Sequence, residues 1–249
     1  MAPELEERGA HASLDLRSRE EKAEKIRAIL EAERDLRGSV LLEIGVGSGA
    51  IAAALAEAVG PSGAVWGADI RDLRIVREGF RFVIVEDTAL PFADRFFDVV
   101  VSNHVLEHVG RRPEQLAHLR EIARVLKDDG IAYLATPNRW TLVEPHYHLP
   151  LLSWLPVPAR GPYVRLARQG RDYDCEPRSR AELVDLSSAA GLDLADRTLE
   201  AVRLTGEIEH PPVPVRLLTR AHERVLKALL PVMPSHVAIL RRSDAGRRD

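Results

Sequence analysis

Three kinds of residue in this chain could do chemistry together. They are glycines at Gly45, Gly47 and Gly49, acids at Glu43, Asp69, Glu86 and Asp87, and histidines at His104, His146 and His148. The glycines close an apolar run, Val40 to Ile44, and precede the alanine-rich stretch Ala50 to Ala58. Lacking Cβ, they let the backbone turn sharply and a ligand approach it closely. A helix starting there aims its first amides at that ligand and favours negative charge on it. An ionised carboxylate only accepts hydrogen bonds. One at the end of a second strand can therefore take both hydroxyls of a ribose, and one at the end of a third an adenine amino group. Histidine titrates near neutrality, which suits it to removing a hydroxyl proton.

Three nucleotide ligands compete for such a loop. A phosphate-binding GxxxxGK[ST] pattern is absent, because no lysine follows the glycines. Gly45 to Ala50 formally fits GxGxxA, and Asp69 lies near the spacing of a dinucleotide site, so NAD and an oxidoreductase stay open. Against NAD, Glu43 sits just before the loop, where a pyrophosphate meets negative charge. A ligand carrying an amino group or a sulfonium meets attraction instead. S-adenosylmethionine carries both, and its carboxylate can use the loop amides.

The elements that must position these residues follow from the hydropathy pattern. A helix is expected over 17–36, with Ala23, Ile26, Ile29 and Leu30 on one face and Gly38 as its stop. It lies over the glycine loop or simply covers the sheet edge. Strands are expected at 40–44, 64–68, 82–85, 98–102 and 131–136, with helices at 50–58, 72–77 and 113–126 between them. Near-continuous apolar strands alternating with helices indicate a parallel sheet covered on both faces. After Pro137 the rhythm breaks. Residues 138–178 read as an insertion rich in proline, arginine and aromatics. A helix at 179–190, a strand at 192–199, a helix ending near Leu230 and a strand at 236–240 complete the chain, the last two strands pairing antiparallel at the sheet edge. The fold class is thus α/β: a doubly wound, mostly parallel, Rossmann-like sheet of seven strands with an antiparallel edge strand. The whole is one domain, with an N-terminal helix (17–37), a cofactor-binding half (38–137), a substrate or lid insertion (138–178) and C-terminal elements (179–241). Residues 1–15 and the charged end after Arg241 read as loose tails.

Four ordered segments, VLLEIGVGSG, GADI, ALPFADRFFDVVVSNHVLEHV and GIAYLATPNR, resemble the class I S-adenosylmethionine-dependent methyltransferases. The group concerned is the small-molecule type reading LPF…FD…LEHV, and the likeness covers about residues 38–140. It implies that Glu43, Gly45, Gly47 and Gly49 surround the methionine part of the cofactor. Asp69 would bind the ribose, Ile70 would pack on the adenine, and Glu86 or Asp87 would hold its amino group. Asn103 and His104 would stand at the methionine end beside the acceptor. His108 would pack or hydrogen-bond rather than catalyse, Asp98 would be structural, and Phe92, Phe96 and Phe97 would be core. The nearest likeness around TPNR…EPH implies O-methylation of a sugar or secondary-metabolite hydroxyl; a non-catalytic adenosylmethionine-binding protein is the alternative of another class.

His104, His146 and His148 are the candidate bases. A spacing of two puts His146 and His148 on one side of an extended segment. Only Glu144 is near in sequence, and no adjacent cysteine or third histidine completes a set, so no metal is expected. The apolar run Leu149 to Pro158 carries Trp154, and Arg160, Arg165, Arg168 and Arg171 follow. It reads as a lid with its arginines in water, or as a segment meeting a lipid-linked acceptor or anionic lipid across 149–171. The formal net charge of -3 gives no electrostatic case for nucleic acid. One cysteine, Cys175, and the lack of a long apolar run read as a cytoplasmic, soluble protein, and the family resemblance implies a small-molecule acceptor.

Overall fold

The computed structural model describes residues 15–170 and 172–243. Most of the expected N-terminal tail, the end of the C-terminal one, and Arg171 lie outside these residues. The sheet has seven strands in the order β3-β2-β1-β4-β5-β7-β6. They are β1 (Val40–Ile44), β2 (Ala64–Asp69), β3 (Arg81–Ile84), β4 (Phe97–Asn103), β5 (Leu126–Pro137), β6 (Leu192–Asp196) and β7 (Ser235–Arg242). The first five pair in parallel, and β7 runs antiparallel to both β5 and the edge strand β6. The order reverses between β1 and β4, which opens a crevice at their carboxyl ends. Register makes those ends level: Ile44 pairs with Ala68 and Ser102, and Asn103 with Ala135. Gly45, Asp69 and His104 therefore leave or end the sheet at one height.

Each face of the sheet carries a core. Leu42, Val100, Ala132 and Leu134 face α3 (Arg112–Val125) and α5 (Arg180–Ala189), with Leu119, Ile122, Leu183 and Leu186. Leu41, Val99, Val101 and Tyr133 face α1 (Leu16–Glu31), α2 (Ala50–Val59) and α6 (Thr198–Ile208). Ala23, Ile26, Ile29 and Leu30 of α1 are buried as their spacing requires. Burying an isoleucine or leucine fully stabilises by about 1.5–3 kcal/mol, so this stripe is what holds the charged helix against the sheet. α1 stops at Glu31, well before Gly38.

Several expectations are corrected. Residues 72–77 form no helix: Asp72 takes the amide and side chain of Arg74, and Ile75 and Val76 both donate to Ser48 O at 2.9 Å. Those amides are spent on the glycine loop rather than on a helical ladder. The strand after Leu192 ends at Asp196, whose carboxylate accepts the Thr198 amide (2.9 Å) and starts α6, a helix the sequence reading lacked. The single helix expected before Leu230 is two, α7 (Val213–Thr219) and α8 (Glu223–Leu229). Phe97 is core and Phe92 half-buried, but Phe96 is exposed and stacks on Phe92. Asp98 is structural as expected, accepting the Val40 amide and the Lys127 ammonium, both at 2.9 Å.

The insertion has its own small core of Tyr147, Leu149, Leu152, Val164 and Cys175. Its helix α4 (Val157–Leu166) does not line the cavity at the sheet ends, so it is no lid over it. Arg160 is buried rather than in water, its guanidinium on the Leu155 and Ser153 carbonyls. Arg165 pairs with Asp172 at the surface, and Arg168 is exposed.

Candidate active site

A cavity of about 920 Å³ opens along the carboxyl ends of β1, β2 and β4. That is room for a nucleoside-sized molecule and a second small one. The glycine loop forms one wall. Gly45, Gly47 and Gly49 all have positive φ, at 77°, 53° and 83°. A Cβ on Gly45 would stand 2.3 Å from Val105 Cγ2, and one on Gly49 2.1 Å from the Val76 carbonyl oxygen. Only glycine fits either place. Gly45 and Gly47 line the cavity; Gly49 caps α2 behind it.

Asp69 fixes the loop while facing the cavity. Its carboxylate accepts the Gly47 amide (3.0 Å) and the Arg71 amide (3.2 Å). Ile70 is exposed against the same cavity, and Glu86 and Asp87 line it beyond β3. Arg124 anchors the segment that follows them, donating to the Leu90 and Phe92 carbonyls and to Glu121 and Asp94.

Glu43 departs from expectation. It is buried behind the loop, bonded to the Ala52 amide, and does not line the cavity. Burial pushes its carboxyl well above the usual range, with Asp69 adding and Arg19 opposing. It supports the loop from within instead of attracting a cation directly. The sequence reading also missed Arg19 and Lys22 of α1, which line the cavity. The helical stripe that buries Ile26 and Ile29 turns these two inward, and Lys22 acts electrostatically on His104 at the β4 end.

The histidines gather where no sequence spacing showed it. Glu107 sits in a 3-10 turn (Leu106–His108), fully buried, its Oε2 accepting from Thr136 Oγ1 at 3.1 Å. Around its Oε1 stand His104 Nδ1 (3.2 Å), His146 Nε2 (3.7 Å) and His108 Nε2 (4.0 Å). All three imidazoles line the cavity. His104 is held at φ 58°, uncommon for a non-glycine residue, by its amide on Ala135 O at 2.8 Å. His146 is set by Glu144, which takes its Nδ1 (2.9 Å), its amide (2.8 Å) and the Tyr147 amide (2.7 Å). Burial keeps His104 below the ordinary histidine pKa, outweighing Glu107. For His146 burial also works downward, but Glu144, Glu107 and Asp174 outweigh it and the pKa lies above the ordinary value. For Glu107, burial works upward and His104 and His108 outweigh it. His148 points elsewhere: it is exposed and lines no part of the cavity. The premise that no third histidine or cysteine joins His146 is thereby corrected, since His104, His108, Glu107 and Cys175 all come near it. Asn103 lines the cavity with its Nδ2 buried and unpartnered, a donor available to a ligand.

His118, beneath this cluster, bonds Ser102 Oγ at 3.0 Å, and burial holds its pKa down to about 4. Burial does the same to His236, also about 4. The unfolded chain binds protons at these two sites from about pH 6.5 downward, while the folded chain refuses them until about pH 4. Stability is therefore full above that window and falls through it as pH drops. Denaturant titrations at pH 7 and pH 5 should show the fall, and His118→Gln should flatten it; an unchanged slope in that variant would contradict the assignment.

Residues 42–134 match the family model described as a methyltransferase domain. The curated ubiquinone/menaquinone biosynthesis C-methyltransferase UbiE of Burkholderia mallei is 32% identical over 108 residues. That match spans 39% of this chain and 44% of the relative, so less than half of either. Among solved structures, a SAM-dependent methyltransferase from Archaeoglobus fulgidus superposes with TM-score 0.54 at 15% identity, covering 90% of this chain and 94% of that one. The 1,6-didemethyltoxoflavin-N1-methyltransferase of Burkholderia thailandensis, solved with its acceptor and S-adenosylhomocysteine, superposes with TM-score 0.54 at 16% identity, covering 92% and 80%. At those identities the structures speak to fold, and that fold is the seven-stranded one described above. Over residues 42–134 the sequence is thus similar to a methyltransferase domain, and the fold is shared with S-adenosylmethionine-dependent methyltransferases of known structure.

Proposed function

We propose that this protein transfers a methyl group from S-adenosylmethionine to a hydroxyl of a small molecule, a sugar or a secondary metabolite. One observation carries the reading. The glycine loop and Asp69 line one part of a cavity, and a buried histidine–carboxylate cluster lines another. The cofactor supplies an activated methyl group on a sulfonium. Gly45 and Gly47 let it approach the backbone, Asp69 accepts from its ribose, Ile70 packs on its adenine, and Glu86 or Asp87 accepts from the adenine amine. Asn103 donates to its methionine end, whose carboxylate meets Arg19 and Lys22. Glu43 and Gly49 shape the loop without contact.

Methyl transfer is an in-line displacement, so the protein's task is mainly to align the nucleophile. The acceptor hydroxyl stands against His104 and His146, where its proton is drawn off; His148 takes no part. The UbiE relative is by name a C-methyltransferase. The gathered imidazoles favour an oxygen acceptor here, because a hydroxyl must lose a proton to become a good nucleophile. Labelled methyl from S-adenosylmethionine should pass to hydroxylated acceptors and not to their deoxy analogues. The same assay excludes a purely binding protein, and its failure with every hydroxylated acceptor would count against the reading. A single cysteine, which can form no internal disulfide, supports reading the reaction as cytoplasmic. No helix among the described residues is long and apolar enough to cross a membrane. The whole chain acts as one domain of the four segments given above.

The insertion supports a lipid-linked or membrane-borne acceptor. Trp140, Leu142, Val143, Leu151 and Trp154 are all exposed around the bridge between Val143 and Pro150. The same loop carries His146 into the cavity. Exposed apolar clusters of this kind mark interaction surfaces. Sedimentation with anionic vesicles should capture the wild type at low salt and release Trp140→Ser/Leu142→Ser; equal behaviour of the two would remove this contact.

A further inference from the structure

We propose that His104 Nδ1, Glu107 Oε1 and His146 Nε2 form a site for a divalent transition-metal cation that grips the acceptor's hydroxyl. Donor chemistry comes first. Two imidazoles and one carboxylate, with a face left open, suit first-row divalent ions such as zinc, manganese or iron. The three ligand atoms lie within 4.8 Å of one another. Metal–ligand bonds of about 2.0–2.2 Å put neighbouring ligand atoms roughly 3–3.5 Å apart. The His104–Glu107 separation of 3.2 Å already meets this, the Glu107–His146 separation of 3.7 Å is close to it, and the two imidazole nitrogens lie within 4.8 Å of each other, a gap that rotation of the His146 ring can close.

The surroundings are those of ligands held in place. Metal-binding histidines usually give their second nitrogen to a carboxylate, which fixes ring and tautomer. Glu144 does this for His146 Nδ1 at 2.9 Å. Thr136 Oγ1 holds the second oxygen of Glu107, leaving Oε1 turned toward the imidazoles. The left-handed backbone at His104 is a strain that persists only where the surroundings enforce it, as such strain does at functional sites. His104 and His146 face the cavity, so the open side of the ion would face the acceptor.

A second group, His108, His146 and Cys175, also comes together. It is the poorer site, because the Cys175 thiol is buried beside the Asp174 carboxylate at 3.6 Å and burial pushes its pKa far up. A thiol must lose its proton to bind a metal well.

A bound cation lowers the pKa of a coordinated hydroxyl. The acceptor's O–H bond then breaks, its proton passing to solvent and its electron pair staying on an oxygen held by the ion. With the ion bound, this replaces direct proton removal by His104 and His146; the role rests on the methyltransferase reading, and the existence of the site does not.

The test uses the full chain after chelator treatment, titrated calorimetrically with zinc chloride, with cobalt(II) absorption as a second readout. About one zinc per chain should bind. His104→Ala and His146→Ala should each weaken binding more than tenfold. Glu144→Gln should weaken it about tenfold through ring orientation. His210→Ala, altering an exposed histidine far along the chain, should leave it unchanged. Adenosylhomocysteine heats on the same samples separate the two ideas and report folding: a His146→Ala protein that keeps them is intact. No zinc binding by the wild type, or equal binding in both His104→Ala and His146→Ala, would overturn the site whatever the adenosylhomocysteine result. Loss of adenosylhomocysteine binding by the wild type with zinc retained would overturn the methyl-transfer reading alone.

Discussion

Gly49→Ala should lower folding stability by about 3 kcal/mol, through backbone strain and steric clash together. The residue caps α2 at φ 83°, where an L side chain is disfavoured by about 1–2 kcal/mol. Its new Cβ would also meet the Val76 carbonyl oxygen at 2.1 Å. That carbonyl cannot retreat easily, since the Ile75 and Val76 amides both hold to Ser48 O. Gly191→Ala separates the two causes. It too has positive φ (77°), but a Cβ there meets nothing within 4 Å. In a chain of this size each kcal/mol moves the melting temperature by about 2–4 °C. Thermal melts should therefore place Gly49→Ala about 6–12 °C below wild type and Gly191→Ala only a few degrees below it. Equal shifts would mean that the packing of the loop against Val76 contributes nothing.

The second large effect concerns affinity. Asp69→Ala should weaken adenosylhomocysteine binding about 100-fold and, by releasing the Gly47 and Arg71 amides, also lower the melting temperature by several degrees. One carboxylate does two things: it holds the Gly47 amide at 3.0 Å, and it faces the cavity where the ribose hydroxyls are proposed to lie. A hydrogen bond to a charged acceptor is worth about 1.5–3 kcal/mol, and each 1.4 kcal/mol is tenfold in binding. Asp69→Asn keeps one acceptor oxygen and should fall between. Calorimetric titration reads both. A loss under threefold in Asp69→Ala would take the ribose contact away from this residue.

Why some of this was legible before the structure, and some not, follows from the range of the signals involved. β1, the glycine loop, α2 and Asp69 are local: apolar run, glycines, alanines and a strand-end acid occur within thirty consecutive residues. The parallel sheet follows from repetition of that unit. The 72–77 segment was misread because helical composition competes with Asp72, which captures the Arg74 amide and guanidinium. α6 was missed because its start depends on Asp196 accepting from Thr198, a cap that resembles a strand end in sequence. The Glu107 cluster was out of reach. His104 and His146 are forty-two positions apart in the chain, and they meet only because β5 carries the chain from β4 back to the same sheet end. Glu43 shows the opposite case. Its position before the loop was legible, but its burial, which decides its charge, was not.

Arg19 and Lys22 extend the same lesson. On the sequence they belong to a solvated charge run on α1, yet the side of the helix they occupy closes the cavity. Long basic side chains can pack their stems along apolar surface and deliver the charge to a site. A signal existed: both lie within one turn of the apolar stripe that begins at Ala23.

The most direct measurement is calorimetric titration of the full chain with S-adenosylhomocysteine and, separately, with NADH. A saturable heat with the thioether nucleoside near one equivalent per chain, and none with the dinucleotide, is the predicted result. Saturation by NADH with silence toward S-adenosylhomocysteine would contradict it.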